Sequence, residues 1–229
     1  MRTTDAPMTK VLPLLAALAL TAAQYAIWRY APVEATMGLV QKIFYYHLPM
    51  SWWAMVSFFI VFAASIAYLV KRDPRWDRLA GAAAEIGVLL ATLALVTGSL
   101  WARPIWNTWW TWDPRLTTTL IMWFVYAAYL LLRSAEAGGA RGPTVRAVLG
   151  VVAFLDVPLV FYSARMWRSV HPAVFGAKGG GLEPEMWTTV LVSVSAFGLL
   201  WLWMLLARVA QLSQAQRLDA LMVWDEEDR

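Results

Sequence analysis

Six long apolar runs divide this sequence, at roughly residues 11–28, 51–70, 84–100, 117–132, 145–164 and 187–206. Within each run the apolar side chains are nearly continuous rather than confined to one helical face. A helix needs about 20 such residues to cross the hydrocarbon core of a bilayer. The pattern therefore predicts an all-α fold, a polytopic membrane helical bundle of six transmembrane helices in a single domain over residues 1–229. No internal repeat or second domain interrupts it. Two carboxylates lie inside the runs, Glu85 near one end of the third and Asp156, close to Pro158, in the fifth. Glu85 reads as a group reaching headgroups or water. Asp156 reads either as a functional group or as a partner for backbone donors beside the proline.

The connectors sort by charge. Segments 1–10, 71–83, 133–144 and 207–229, with Arg146 at the edge of the fifth run, hold 12 of the 19 basic residues. Segments 29–50, 101–116 and 165–186 hold the other 7. Basic loops stay in the cytoplasm, so both termini are expected there, and residues 101–116 form an outer loop between helices three and four. Lys10, the apolar stretch after it and Thr21-Ala22-Ala23 also resemble a cleavable leader. Apolar character continues to Trp28, which predicts a retained first span. Segment 133–144 is a glycine-rich connector, and residues 207–229 read as a cytoplasmic amphipathic tail.

Composition sharpens this picture. The chain is 60% hydrophobic with a mean hydropathy of +0.54, so its first partner is the lipid bilayer. Net charge is +4, but the basic residues are scattered, and no basic–aromatic stripe points to nucleic acid. Cysteine is absent. That excludes disulfides, thiolate metal sites, iron–sulfur clusters, a thiol nucleophile and thioether attachment of a cofactor.

One outer connector departs from the rest. Residues 101–116 read Trp101-Ala102-Arg103-Pro104-Ile105-Trp106-Asn107-Thr108-Trp109-Trp110-Thr111-Trp112-Asp113-Pro114-Arg115-Leu116, with five tryptophans in the first twelve positions. If this loop is helical, Trp106, Trp109 and Trp110 share one face. Asp113-Pro114 predicts the N-cap and first residue of the fourth helix. Tryptophans at span ends, such as Trp52 and Trp53, form an aromatic belt. Trp106, Trp109, Trp110 and Trp112 lie inside the loop instead, and an apolar patch kept at a surface marks a binding site.

Both histidines fall on the outer side: His47 just before the second span and His171 after the fifth. Singly, each fits an ordinary interfacial residue. Together with the tryptophan loop they make three outer segments that converge. Two imidazoles are too few for a structural zinc site. They do suit an iron whose other four ligands come from a porphyrin, which is non-covalent b-type haem with a bis-His axial pair. The tryptophans would cover the ring, Asp113 would orient the loop, and Arg103, Arg115, Arg165 and Arg168 lie on the correct side for the propionates. Each arginine also fits a headgroup anchor.

The stretch from Trp101 to Thr117 resembles the WWD signature of the haem-handling proteins of cytochrome c maturation. Six spans and this length are similar to the haem exporter protein C branch, cytochrome c maturation protein C. The Trp109-Trp110, Trp112 and Asp113 core matches. Ala102 and Asn107 stand where that family usually has glycines, and Asn tolerates a left-handed turn. The resemblance implies a bacterial inner-membrane protein with its haem site on the periplasmic side and His47 and His171 as axial ligands. It implies presentation of haem to a periplasmic haem chaperone, cytochrome c maturation protein E. The further partners implied are two ABC transporter subunits, proteins A and B, and the small single-span protein D. This chain has no G-x-x-x-x-G-K-[ST] phosphate loop, so nucleotide chemistry belongs to a partner. With no evident general acid or base beyond Asp113 and Asp156, a transfer scaffold is expected rather than an enzyme.

Three other readings remain at this stage. A b-type electron-transfer cytochrome would bury its ligands within the bundle. A haem permease would need a polar midplane path, for which Asp156 is the main candidate. A structural subunit of an ABC complex would have dispensable histidines.

Overall fold

A computed structural model describes residues 7–135, 139–167 and 182–227. Its described residues form helices, and the single β-type pairing is an isolated bridge between Glu34 and Gly38. Helix α1 (Pro7–Tyr25) runs on into a π-turn at Ala26–Tyr30. A 3₁₀ turn at Leu39–Ile43 leads into α2 (Phe44–Lys71). Helices α3 (Pro74–Trp106) and α4 (Pro114–Ser134) follow. A short turn at Gly139–Arg141 precedes α5 (Gly142–Ala153) and α6 (Asp156–Met166), and α7 (Pro184–Glu227) closes the chain. Six of the resulting spans are long and apolar enough to cross a membrane. The six-span all-α expectation holds, and the protein is a multi-pass membrane protein.

Helix α3 is the central post. Its first half is buried on all sides at the small residues 80–84, Ala80, Gly81, Ala82, Ala83 and Ala84, with Gly87, Ala91 and Ala94 buried further along. Lipid gives helices no hydrophobic reason to associate, so close backbone approach and interhelical hydrogen bonds must hold them. Helix α2 makes the most extensive contact with α3, with Ser57 and Phe58 lying against Gly87. Phe58 of α2 stacks on Tyr126 of α4 with ring centroids 3.7 Å apart. Trp53 stacks on Trp201 of α7 at 4.6 Å, and the Trp201 indole donates to Ser57 Oγ at 2.8 Å. The outward faces carry Leu14, Leu18, Phe59, Leu93, Phe124, Val152 and Leu191, all exposed, as a lipid-facing surface requires.

The fifth span is broken. A proline at 158 has no N–H for the Phe154 carbonyl and its ring crowds that carbonyl. The Phe154 oxygen accepts from Val157 N at 3.1 Å instead, and the Val152 oxygen accepts from Leu155 N at 3.1 Å. Two such i→i+3 bonds tighten the backbone, and a new helix starts at Asp156. Asp156 is half-buried, and its Oδ2 has no hydrogen-bond partner among the described residues. The reading in which that carboxylate satisfies backbone donors at the break is therefore not what this oxygen does.

Two ends of the bundle differ sharply. At the basic end, Asp77 of α3 is buried between Arg133 of α4 and Arg146 of α5, with N–O distances of 3.0 and 3.2 Å. Glu85 is held by one edge of the Arg208 guanidinium from α7, Nε and Nη2 donating at 2.5 and 3.0 Å. Glu85, expected to reach headgroups or water, keeps 32% of its side chain exposed and in addition pairs with a cation 123 residues away. Arg78 donates to Gln216 at 2.6 Å and Arg72 to Thr144 at 2.8 Å. Segments 71–83, 133–146 and the start of the tail, all cation-rich, thus meet at one end. The opposite end holds the tryptophan segment.

Candidate functional site

The tryptophan end starts from a helix terminus. Helix α3 continues through Trp101 and stops at Trp106. Asn107 then takes φ +53°, ψ +26°, the left-handed conformation that ends helices and that Asn accepts more readily than most residues. Its Oδ1 accepts a hydrogen bond from the Arg103 guanidinium one turn earlier. Residues 107–113 are non-helical. The shared helical face expected for Trp106, Trp109 and Trp110 does not exist, because the helix ends between the first and the other two. Ala102 fits without strain: it lies inside α3 and is buried.

Beyond the turn, Thr108 Oγ1 donates to the Trp110 carbonyl at 2.9 Å, folding the loop back on itself. The rings of Trp110 and Trp112 meet edge-to-face at 6.0 Å. Trp112 is 77% exposed and Trp109 56%, so two wide indoles stand open to their surroundings. The Arg103 guanidinium sits 5.9 Å from the Trp109 ring centroid, a cation–π contact. Asp113 is buried and caps α4: it has extended φ/ψ, and its Oδ1 accepts from Arg115 N at 2.9 Å. The capping expectation holds. Thr118 and Thr119 hydroxyls bond back to the carbonyls of Pro114 and Arg115 at 2.8 and 2.7 Å, stiffening the first turn.

His47 is not in a connector, as its position before the second apolar run suggested. The helix starts earlier, at Phe44, and Pro49 is accommodated inside it. The preceding 3₁₀ turn is the reason: it delivers the chain already helical into residue 44. The imidazole is half-buried against α3. Its Nδ1 lies 3.1 Å from Thr97 Oγ1, and its ring meets Trp101 edge-on at 6.0 Å. Trp101 also packs on Phe44 at 6.0 Å.

Trp109 occupies a different place. It lines a shallow groove with Leu95, Val96, Ser99 and Leu100. At 100° per residue, these positions lie on the side of α3 opposite Thr97, Gly98 and Trp101. His47 and Trp109 therefore flank the same two turns of α3 from opposite sides. The indole that meets the imidazole is Trp101, which the spacing argument had left out of the site.

Other parts of the end are scaffolding. Lys42 is buried, with its ammonium on the Ile27 carbonyl and, at 3.1 Å, on the Ala31 carbonyl. It closes the π-turn at the end of α1, where unpaired carbonyls concentrate negative partial charge. Tyr46 accepts from the Trp28 indole at 3.1 Å and donates to Gln24 at 2.6 Å. The remaining candidates are less defined. Arg115 is half-buried at the start of α4. Arg165 lies in α6, and its side chain is outside the described residues, as are His171 and Arg168 altogether. Among the described residues no three histidines or carboxylates are grouped to hold a metal ion.

Comparison with known proteins gives one consistent answer. A family model described as "Heme exporter protein C" matches residues 2–223. The heme exporter protein C of Bradyrhizobium diazoefficiens is 34% identical over 218 residues, covering 93% of this chain and 83% of that protein. That of Rhodobacter capsulatus is 32% identical, covering 93% and 90%. That of Escherichia coli K12 is 30% identical over 176 residues, covering 76% and 71%.

Proposed function

This chain belongs to the heme exporter protein C family, and from that premise we propose that it holds haem at the periplasmic membrane face and passes it to a periplasmic haem chaperone. The family supports a role in haem handling for cytochrome c biogenesis and membership of a haem export complex. In our reading His47 and His171 are the axial ligands of a non-covalent b-type haem. The observation that carries this is the seat of His47: a half-buried imidazole at the tryptophan end, held by Thr97 and Trp101, at the same end of α3 as two open indoles, of which Trp109 stands across the helix from it.

The residues divide the work. Trp101 limits the tilt of the His47 ring. Trp109, Trp110 and Trp112 give an apolar rim where the edge of a flat ligand rests. Asp113 fixes where the loop re-enters α4, and so where that rim stands. Arg103 and Arg115 supply positive charge on the rim for carboxylate groups of the cargo, with Arg165 and Arg168 in the same role from the third segment. The chain contributes positioning, the main catalytic term when a second protein performs the attachment. The chaperone is cytochrome c maturation protein E, and the ABC subunits A and B with protein D complete the complex. The site faces the periplasm from the bacterial inner membrane, with the basic end in the cytoplasm.

The test is the visible spectrum and haem content of the purified protein beside His47→Ala and His171→Ala. Loss or displacement of the Soret band in each is expected. Unchanged bands and unchanged haem content in both would remove the axial assignment. A permease reading has one observation in its favour, the unpartnered Asp156 Oδ2 within the fifth span. Haem uptake by vesicles containing this chain alone, abolished by Asp156→Asn, would favour it over the scaffold.

A further inference from the structure

We infer that Thr97 is a positioning residue for His47: it holds the imidazole as the Nδ1–H tautomer, so that Nε2 carries the lone pair. The consequence for iron rests on the haem reading above, but the tautomer does not.

The argument is a proton count. A threonine hydroxyl has one proton to give and two lone pairs to accept with. Thr97 Oγ1 lies 2.8 Å from the Leu93 carbonyl and 3.2 Å from the Ala94 carbonyl, so its proton is committed to its own helix backbone. The same oxygen lies 3.1 Å from His47 Nδ1. With the hydroxyl proton turned toward the carbonyls, only a lone pair faces the ring. Nδ1 must then be the donor, and in a neutral imidazole the basic nitrogen is Nε2.

The neighbouring residues fix the ring in that pose. A Cβ on Gly98 would stand 3.2 Å from His47 Cε1, tighter than most side-chain contacts, and 3.6 Å from Nδ1, an ordinary contact. The ring therefore lies against bare α3 backbone, and glycine permits it. Trp101 meets the ring at an interplanar angle of 65°. Residues 97, 98 and 101 occupy one face of two turns of α3 and form a three-sided cradle. Histidine ligands generally donate their second nitrogen to a fixed acceptor, which sets tautomer and rotation and raises the basicity of the ligating nitrogen. A neutral hydroxyl raises it less than a carboxylate would. That is the setting a protein needs if it must give its cargo up.

Two measurements on the full-length protein in detergent test this. The first needs no haem. Protein carrying ¹⁵N-histidine and a His171→Gln change, purified without haem, reports the His47 nitrogens alone. A pyrrole-type Nδ1 and pyridine-type Nε2 are expected. Thr97→Val should move the ring toward the Nε2–H form, and Thr97→Ser should keep the original pattern. A pyridine-type Nδ1 in the unsubstituted cradle, or no change in Thr97→Val, overturns the proposal. The second is haem titration with both histidines present: Thr97→Val should weaken binding about 10-fold, with Thr97→Ser restoring it. The outcomes separate the two claims. A correct tautomer with a Soret band indifferent to His47→Ala leaves the cradle standing and removes the haem assignment. A His47-dependent Soret band with the reverse tautomer does the opposite.

Discussion

The two ends of α3 carry the same three residues and use them differently. Asp73-Pro74-Arg75 begins α3, and Asp113-Pro114-Arg115 begins α4 just beyond the other end of α3. In both, the aspartate is extended and its Oδ1 accepts from the backbone N of the arginine at 2.9 Å. At the basic end the aspartate also takes its own arginine, with Arg75 Nε 2.8 Å from Oδ2, and the arginine is largely in solvent. At the tryptophan end the aspartate is buried beneath the loop it terminates. One local sequence gives one local cap, and the surroundings decide whether the cap is a surface detail or a fixed point. The ends also cohere by different means. The basic end is tied by ion pairs between helices distant in sequence; at the tryptophan end, ring contacts and the bonds of the Lys42 ammonium to backbone carbonyls join distant segments.

The comparison can be broken most forcefully at Asp77. Removing it leaves the largely covered Arg133 and Arg146 side chains without their shared carboxylate, at a cost of up to about 3–5 kcal/mol. Asp77→Ala should lower the denaturation midpoint in detergent more than any other single change considered. Whatever fraction stays folded should keep its Soret band, because the site is at the other end. A folded Asp77→Ala protein without bound haem would show that the ends are not separable.

A smaller effect is expected at Asp113. Asp113→Ala removes a helix cap, a loss of about 1–2 kcal/mol. Because the capped turn fixes the loop, haem content should fall along with the melting temperature. Asp113→Asn keeps a good capping oxygen and should stay near wild type in stability. If Asp113→Asn loses haem while melting normally, the charge and not the cap matters to the site.

Glu85→Gln ranks below these. Its pair with Arg208 is about one-third exposed on both sides, so the loss should be under about 1 kcal/mol and should shrink as salt is added. Denaturation at low and high ionic strength checks both statements.

Asp73 should matter least. Hydrogen bonds from the Arg75 side chain and backbone hold its carboxyl below the usual carboxylate range. A folded-state value below the unfolded one means the contribution is complete at neutral pH and fades as acid carries the group through its lowered value. The carboxylate is in solvent, so the effect should be slight. An acid titration of stability comparing wild type with Asp73→Asn should show a shallow divergence that closes at low pH. A steep one would mean that Asp73 has a buried partner.

The sequence by itself determined whatever lipid or backbone chemistry enforces locally. A hydrocarbon core accepts only a run of apolar residues whose backbone bonds to itself, so six spans were legible without any contact being known. Asp-Pro and Asn107 fixed helix ends through bonds made within two or three residues. Tertiary structure decided what depends on which helix lies beside which. Thr97 and His47 are 50 positions apart, and nothing in either neighbourhood announces the other. The tryptophans illustrate the boundary: their number marked the segment, but their faces followed from where α3 ended. Trp101 stayed on the helix beside the imidazole, and Trp109 crossed to the far side. Direction in space is set by packing between distant segments, and spacing along one segment does not contain it.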